Sequence, residues 1–247
     1  MTEQGKGRST MSEQMQRVAV VTGASQGIGA GVVGGYRKLG YAVVATSRSI
    51  GHSGDPAVVT VAGDIADPAT GERVIAAAVE RFGRVDALVN NAGIFVAKPF
   101  TDYTAEDYAA VLGTNLGGFF RITQLAVERM LAQGSGHIVN ITTSLVDNAS
   151  SGVPSVLTSL TKGGLQSATK SLAIELATRG VRVNAVSPGI VRTPMHPQET
   201  HGALAGLMPM GRLGDVSDVV DAILYLEQAP FVTGEILHVD GGQSAGH

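Results

Sequence analysis

The chain has no cysteine and no tryptophan among its 247 residues. Without a thiol it can build neither a disulfide framework nor a thiolate nucleophile or metal ligand. Aromatic residues amount to 4%, too few to suggest a surface that stacks sugars or nucleobases. No apolar run reaches the length needed to cross a bilayer, and no block of lysine and arginine occurs. The formal net charge is −3, with acids and bases interspersed, so neither nucleic acid nor an anionic membrane surface is expected as a partner. Residues 1 to 16 are polar and lack the apolar segment of a signal peptide. They read as a disordered tail in which Met11 and Met15 are alternative starts, and cytoplasmic residence is the default expectation.

Glycine is plentiful, and its placement is informative. The apolar run Val18-Ala19-Val20-Val21 leads into Thr22-Gly23-Ala24-Ser25-Gln26-Gly27-Ile28-Gly29. A buried strand that breaks into glycines and then into a helical pattern brings bare backbone against a pyrophosphate. Gly23 permits the tight turn, Gly27 clears the phosphate approach, and Gly29 lets the helix pack on the strand. The helix N-terminus presents free N–H groups and a positive dipole end. The spacing is G-x-x-x-G-x-G, and a strand-to-helix turn without a ligand would also satisfy it, so the remainder of the chain must decide.

Short β-branched runs alternate with longer alanine-rich amphipathic segments, the pattern of parallel βαβ units. Strands are expected near 17 to 22, 41 to 47, 57 to 61, 85 to 89, 136 to 142, 181 to 186 and 235 to 239. Helices are expected near 27 to 39, 68 to 81, 104 to 132, 155 to 179 and 215 to 227. No low-complexity linker or internal repeat divides the chain. The expectation is one Rossmann-type, doubly wound α/β domain over 17 to 247, with about seven parallel strands and helices on both faces. Ligands of such sheets lie beyond the carboxyl ends of the strands.

The loops at those ends carry the informative residues. After the second strand stands Ser47-Arg48 with no carboxylate, which favours the 2′-phosphate of NADP(H) over the ribose hydroxyl of NAD(H). After the third comes Asp64-Ile65, where Asp64 could accept from an adenine amino group, and Asp67 before Pro68 reads as an N-cap. After the fourth, Asn91, Ala92 and Gly93 suit close backbone contact with a cofactor. Together with Asn115, Lys162, Ser187-Pro188-Gly189 and Val239-Asp240-Gly241-Gly242, these motifs occur in the order found in the short-chain dehydrogenase/reductase family. The resemblance spans roughly residues 17 to 243.

It implies a nicotinamide cofactor and a set of roles. Lys162 matches the family's lysine, which binds the nicotinamide ribose and lowers the pKa of a tyrosine acid, and Asn115 matches the asparagine of the proton relay. Pro188, Gly189, Ile190 and Thr193 match the segment that packs on the nicotinamide. The elements at 222 to 226 and 234 to 239 resemble those through which members form homotetramers or homodimers. The family's tyrosine stands four residues before the lysine, and here that position is Thr158. A threonine hydroxyl is far less acidic than a phenol, whose reference pKa is about 10, and it is shorter, so it makes a poor general acid. The family's serine falls on Thr143 when counted from the strand and nearer Ser144 when counted back from Thr158. Asp147 on the same loop is a candidate replacement acid.

Three readings follow. One is an NADPH-dependent reductase of an imine or iminium, whose acceptor can arrive already protonated. Another is a carbonyl reductase with a substitute proton donor. The third is a non-catalytic NADP(H)-binding protein. The stretch 190 to 212 reads as a substrate lid, with Met195, Leu204, Leu207, Met208 and Met210 giving the pocket an apolar lining and hence an apolar small-molecule substrate. His196 and His201 lie five apart without a carboxylate cluster, so no metal is expected.

Overall fold

The computed structural model describes residues 16 to 246. The tail expectation for residues 1 to 15 therefore lies outside the described residues. Strand β1 (Val18–Thr22) is buried along its whole length, as a central parallel strand covered on both faces must be. Its side chains alternate between two layers. Val18 and Val20 join one apolar cluster with Val74, Ile122 and Leu176, while Ala19 and Val21 join another with Val32, Val219 and Ile223. One sheet thus separates two cores, each closed by helices.

Helix α1 (Gly27–Lys38) follows the glycine turn, and then come β2 (Ala42–Ser47), β3 (Val58–Ala62), α2 (Pro68–Phe82) and β4 (Ala87–Asn90). Asp67 caps α2 by accepting from Ala69 N at 3.0 Å, with Pro68 at the first helical position. The expected helix over 104 to 132 is divided into α3 (Ala105–Leu112), a π-helical turn (Gly113–Gly118) and α4 (Phe119–Gln133). Three glycines in six residues weaken the regular helix there. The absence of a side chain at Gly118 also admits Ile65, which a Cβ would meet at 2.8 Å.

The chain then continues through β5 (Gly136–Ile141), α5 (Val156–Leu176), β6 (Val181–Pro188), α6 (His201–Ala205), α7 (Val216–Gln228) and β7 (Ile236–Val239). The seven strands are parallel in the order β3-β2-β1-β4-β5-β6-β7. The order reverses between β1 and β4, which opens a crevice at the carboxyl ends of these strands. Among the described residues no helix is long and apolar enough to cross a membrane.

Candidate active site

A cavity of about 740 Å³ occupies that crevice and runs from the β2 end to the segment after β6. At its floor, Gly23 (φ +65°) and Gly27 (φ +55°) adopt the left-handed conformation, which a side chain would strain. A Cβ on Gly27 would come within 3.2 Å of Thr193, so the glycine turn and the segment after β6 face each other closely. No side chain caps the start of α1, and its first turn carries no acid. Its free N–H groups are left for an anion. Thr46 Oγ1 and Ser47 Oγ are buried without hydrogen-bond partners, and both residues line the cavity beside Arg48. Buried hydroxyls are normally satisfied, so this wall has room for polar groups of a ligand. Arg48 is exposed and has no salt bridge among the described residues. Ser25, Gln26, Ile28, Asp64, Ile65, Ala92, Gly93, Pro188, Gly189 and Ile190 also line the cavity. These features fit a dinucleotide: bare backbone, free N–H groups, open hydroxyls and an unpaired guanidinium at one end.

Asn91 lines the cavity, but its side chain braces the cradle. Its Nδ2 donates to Thr22 O at 3.0 Å and Gly23 O at 3.1 Å. The Thr22 hydroxyl in turn accepts from the N–H groups of Asn91 and Ala92 at 3.1 and 3.0 Å. Thr22 was not singled out from the sequence, although its position at the end of an apolar strand, just before the first glycine, marks it.

At the reacting end, Thr158 and Lys162 lie one turn apart on α5, both buried and both lining the cavity. Thr158 Oγ1 has no hydrogen-bond partner. Lys162 Nζ donates to Ile141 O at 2.7 Å, and burial lowers its pKa from 10.5 to about 8. Thr143 and Ser144 both reach this wall. Thr143 Oγ1 accepts from Leu145 N at 3.3 Å, whereas Ser144 Oγ donates to Gln243 Oε1 at 2.7 Å. None of the five tyrosines lines the cavity, so no phenol is at hand for acid catalysis.

Two expected residues are placed elsewhere. Asp147 is exposed and outside the cavity, with Oδ2 accepting from Gln166 Nε2 at 3.0 Å and meeting His238 Nε2 at 3.1 Å. The short 3₁₀ turn Ser144–Val146 turns it away from the crevice, so it is not a replacement acid in this arrangement. Asn115 is buried behind the cavity wall in the π-helical turn. Its Oδ1 accepts from Ile94 N at 2.9 Å, and its Nδ2 donates to Ile94 O and Thr161 Oγ1 at 3.1 Å each. Its side chain is thus committed to holding the loop after β4, not to water in the cavity.

The segment from 190 to 212 leaves and rejoins the body at one point, where Val191 bridges Gly214. Met195, His196, Leu204 and Leu207 line the cavity, whereas Met208 and Met210 do not. Met208 is buried, and Met210 N donates to Gly241 O at 3.2 Å near the end of the chain. Those two methionines therefore anchor the segment and leave the apolar wall to Met195, Leu204, Leu207, Ile94 and Phe95. His201 Nε2 lies 2.9 Å from His196 O. Burial, with a smaller contribution from His201, lowers the pKa of His196. Gln243 and Asn148 also line the cavity and were not anticipated.

The model of the family described as enoyl-(acyl carrier protein) reductase matches residues 23–244. The L-rhamnose 1-dehydrogenase (NAD(P)(+)) of Azotobacter vinelandii is 36% identical over 253 residues, covering 92% of this chain and 96% of that protein. The 3-oxoacyl-(acyl-carrier-protein) reductase of Vibrio cholerae is 34% identical, again over 92% and 96%. Among solved structures, ElxO with NADP bound aligns with a TM-score of 0.87 and 30% identity over 94% of this chain and 100% of that one. A Tyr→Phe variant of ElxO with NADPH bound aligns equally well.

Proposed function

Starting from a chain that belongs to the short-chain dehydrogenase/reductase family, we propose that this protein is an NADPH-dependent reductase acting on a C=N bond of a small, largely apolar substrate. One observation carries the reading: the cavity unites a complete dinucleotide cradle with Lys162 and the open hydroxyl of Thr158, and no phenol lines it. Gly23, Gly27 and the start of α1 would take the pyrophosphate, and Arg48 with Ser47 the 2′-phosphate. Lys162 would hold the ribose, and Ile190 and Thr193 would lie against the nicotinamide. When bound, the reduced nicotinamide supplies a hydride to carbon. A carbonyl oxygen gains negative charge as hydride arrives and needs a proton from an acid, whereas an iminium ends as a neutral amine. The second requirement suits a site that has Thr158 where the family places its tyrosine.

A carbonyl substrate is the second reading, favoured by the named activities of the relatives and by Lys162. With a pKa of about 8, its ammonium is acidic enough to give up a proton near neutral pH. Self-association as a homotetramer or homodimer is also proposed. It is supported by the open edge of β7 and by exposed Tyr225 on α7 and Phe231 just beyond it.

The test is NADPH oxidation with cyclic imines paired against the corresponding ketones, for the native chain and for Thr158→Tyr. Imine turnover by the native chain, with ketone turnover rising on Thr158→Tyr by a factor in the general-acid range of about 10²–10⁴, is the expected result. Ketone turnover exceeding imine turnover in the native chain would transfer the assignment to the carbonyl reading. Tight NADPH binding with neither turnover would leave a binding protein.

A further inference from the structure

Gln243 belongs to the short 3₁₀ turn Gln243–Ala245 after β7, yet it is 7% exposed and lines the reacting end of the cavity. Four hydrogen bonds hold it there. Asp240 accepts from Gly242 N at 2.9 Å and Ser244 N at 2.8 Å, which fixes the turn. Asn148 Nδ2 donates to Gln243 O at 2.6 Å, and Ser144 Oγ donates to Gln243 Oε1 at 2.7 Å. With Oε1 engaged, Gln243 Nε2 has no partner among the described residues, and neither does Asn148 Oδ1. The wall therefore offers a neutral donor and a neutral acceptor on two residues clamped to each other. Neither atom is sealed from the cavity, so a ligand there would replace water as its partner.

We propose that Gln243 and Asn148 form a substrate-selecting pair that recognises a neutral amide group near the reducible bond, Gln243 Nε2 donating to the amide oxygen and Asn148 Oδ1 accepting from the amide N–H. Ser144 is a positioning residue that sets which end of the Gln243 carboxamide faces the substrate. An ester supplies the carbonyl acceptor but no N–H, so it satisfies half of the pair. A carboxylate supplies no donor and would bring a charge opposite Asn148 Oδ1. This inference extends the reductase reading by naming a feature of its substrate.

The experiment is calorimetric binding of 3-oxohexanamide, ethyl 3-oxohexanoate and 3-oxohexanoate to the NADP⁺-loaded protein, which reads affinity without hydride transfer. The amide should bind about three- to tenfold more tightly than the ester, the range expected for one neutral hydrogen bond. Gln243→Glu keeps the acceptor for Ser144 but removes the donor. It should weaken the amide and the ester by a similar factor, with NADP⁺ affinity unchanged. Asn148→Leu, which removes the acceptor for the N–H, serves as the second variant and should erase the preference for amide over ester. Equal binding of the three probes, no binding of any, or an amide-over-ester preference untouched by Asn148→Leu would overturn the proposal. Failure of NADP⁺ itself to bind would instead strike the reductase reading.

Discussion

Replacing Lys162 by methionine separates what this side chain costs the fold from what it does in the site. Burial drops its pKa from 10.5 to about 8, so the unfolded chain holds the proton more tightly than the folded one. The cost of burying the charge is present in full below pH 8. It is relieved as pH rises from about 8 to 10.5, where the native lysine is neutral and the unfolded one still charged. At 1.36 kcal/mol per pKa unit the full span is about 3.4 kcal/mol, and about 2.5 kcal/mol of it falls between pH 7 and pH 10. Methionine has no such proton. The stability of Lys162→Met relative to the native chain should therefore fall by about 2.5 kcal/mol between these two pH values, or about 5 to 10 °C in midpoint for a domain of this size. The constant offset between the proteins includes the hydrogen bond to Ile141 O at 2.7 Å, whose loss leaves a carbonyl unpaired. The slope does not depend on that offset. Tyr36 and Tyr41, whose pKa values burial and Glu227 push up, are common to both proteins and cancel. Urea unfolding at a series of pH values measures the difference directly. A gap that stays constant from pH 7 to 10 would refute the claim that Lys162 is buried as a charge, and with it the view that the site holds a destabilising group for function.

Two further outcomes are expected. Arg48→Ala should weaken NADPH about tenfold or more while leaving NADH nearly unchanged, because the guanidinium at the β2 end has no carboxylate partner among the described residues and would face the 2′-phosphate. Equal loss for both nucleotides, read by fluorescence titration, would remove the basis for preferring NADP(H). Glu227→Ala should destabilise the fold by at least about 3 kcal/mol with little effect on nucleotide affinity. Its carboxylate accepts from Tyr41 at 2.6 Å and Tyr36 at 3.0 Å and lies 2.8 Å from His137 Nδ1. Burial pushes its pKa up, but the hydrogen bonds from His137, Tyr41 and Tyr36 outweigh burial and hold it below the usual value. This cluster sits at the amino ends of β2, β5 and β6, opposite the cavity. Chemical denaturation beside a nucleotide titration would expose the error if the variant unfolded like the native chain.

The sequence alone determined the architecture because the signals for it are local. Val18 to Val21 carries the unbroken apolar run of a strand buried on both faces. Asp67-Pro68 marks a helix start, and the glycines after β1 and the absence of a carboxylate at Ser47-Arg48 need only short stretches to be read. That Thr158 precedes Lys162 by one helical turn also follows from spacing. Only the tertiary structure decided which side chains share the cavity. Asp147 and Asn148 are adjacent in sequence, yet the turn at Ser144–Val146 sends one outward to His238 and the other inward to Gln243. The resemblance gives Asn115 a place in the proton relay, and only the structure shows its amide bonded to the loop at Ile94 from within a π-helical turn. Gln243 reaches Ser144 across 99 positions of chain, a contact formed by sheet order and by the Asp240 turn, which no local pattern encodes. Periodicity and caps act within a few residues, so the sequence carries them openly; the direction of a side chain at a loop depends on packing between distant strands, and it exists only once the sheet has closed.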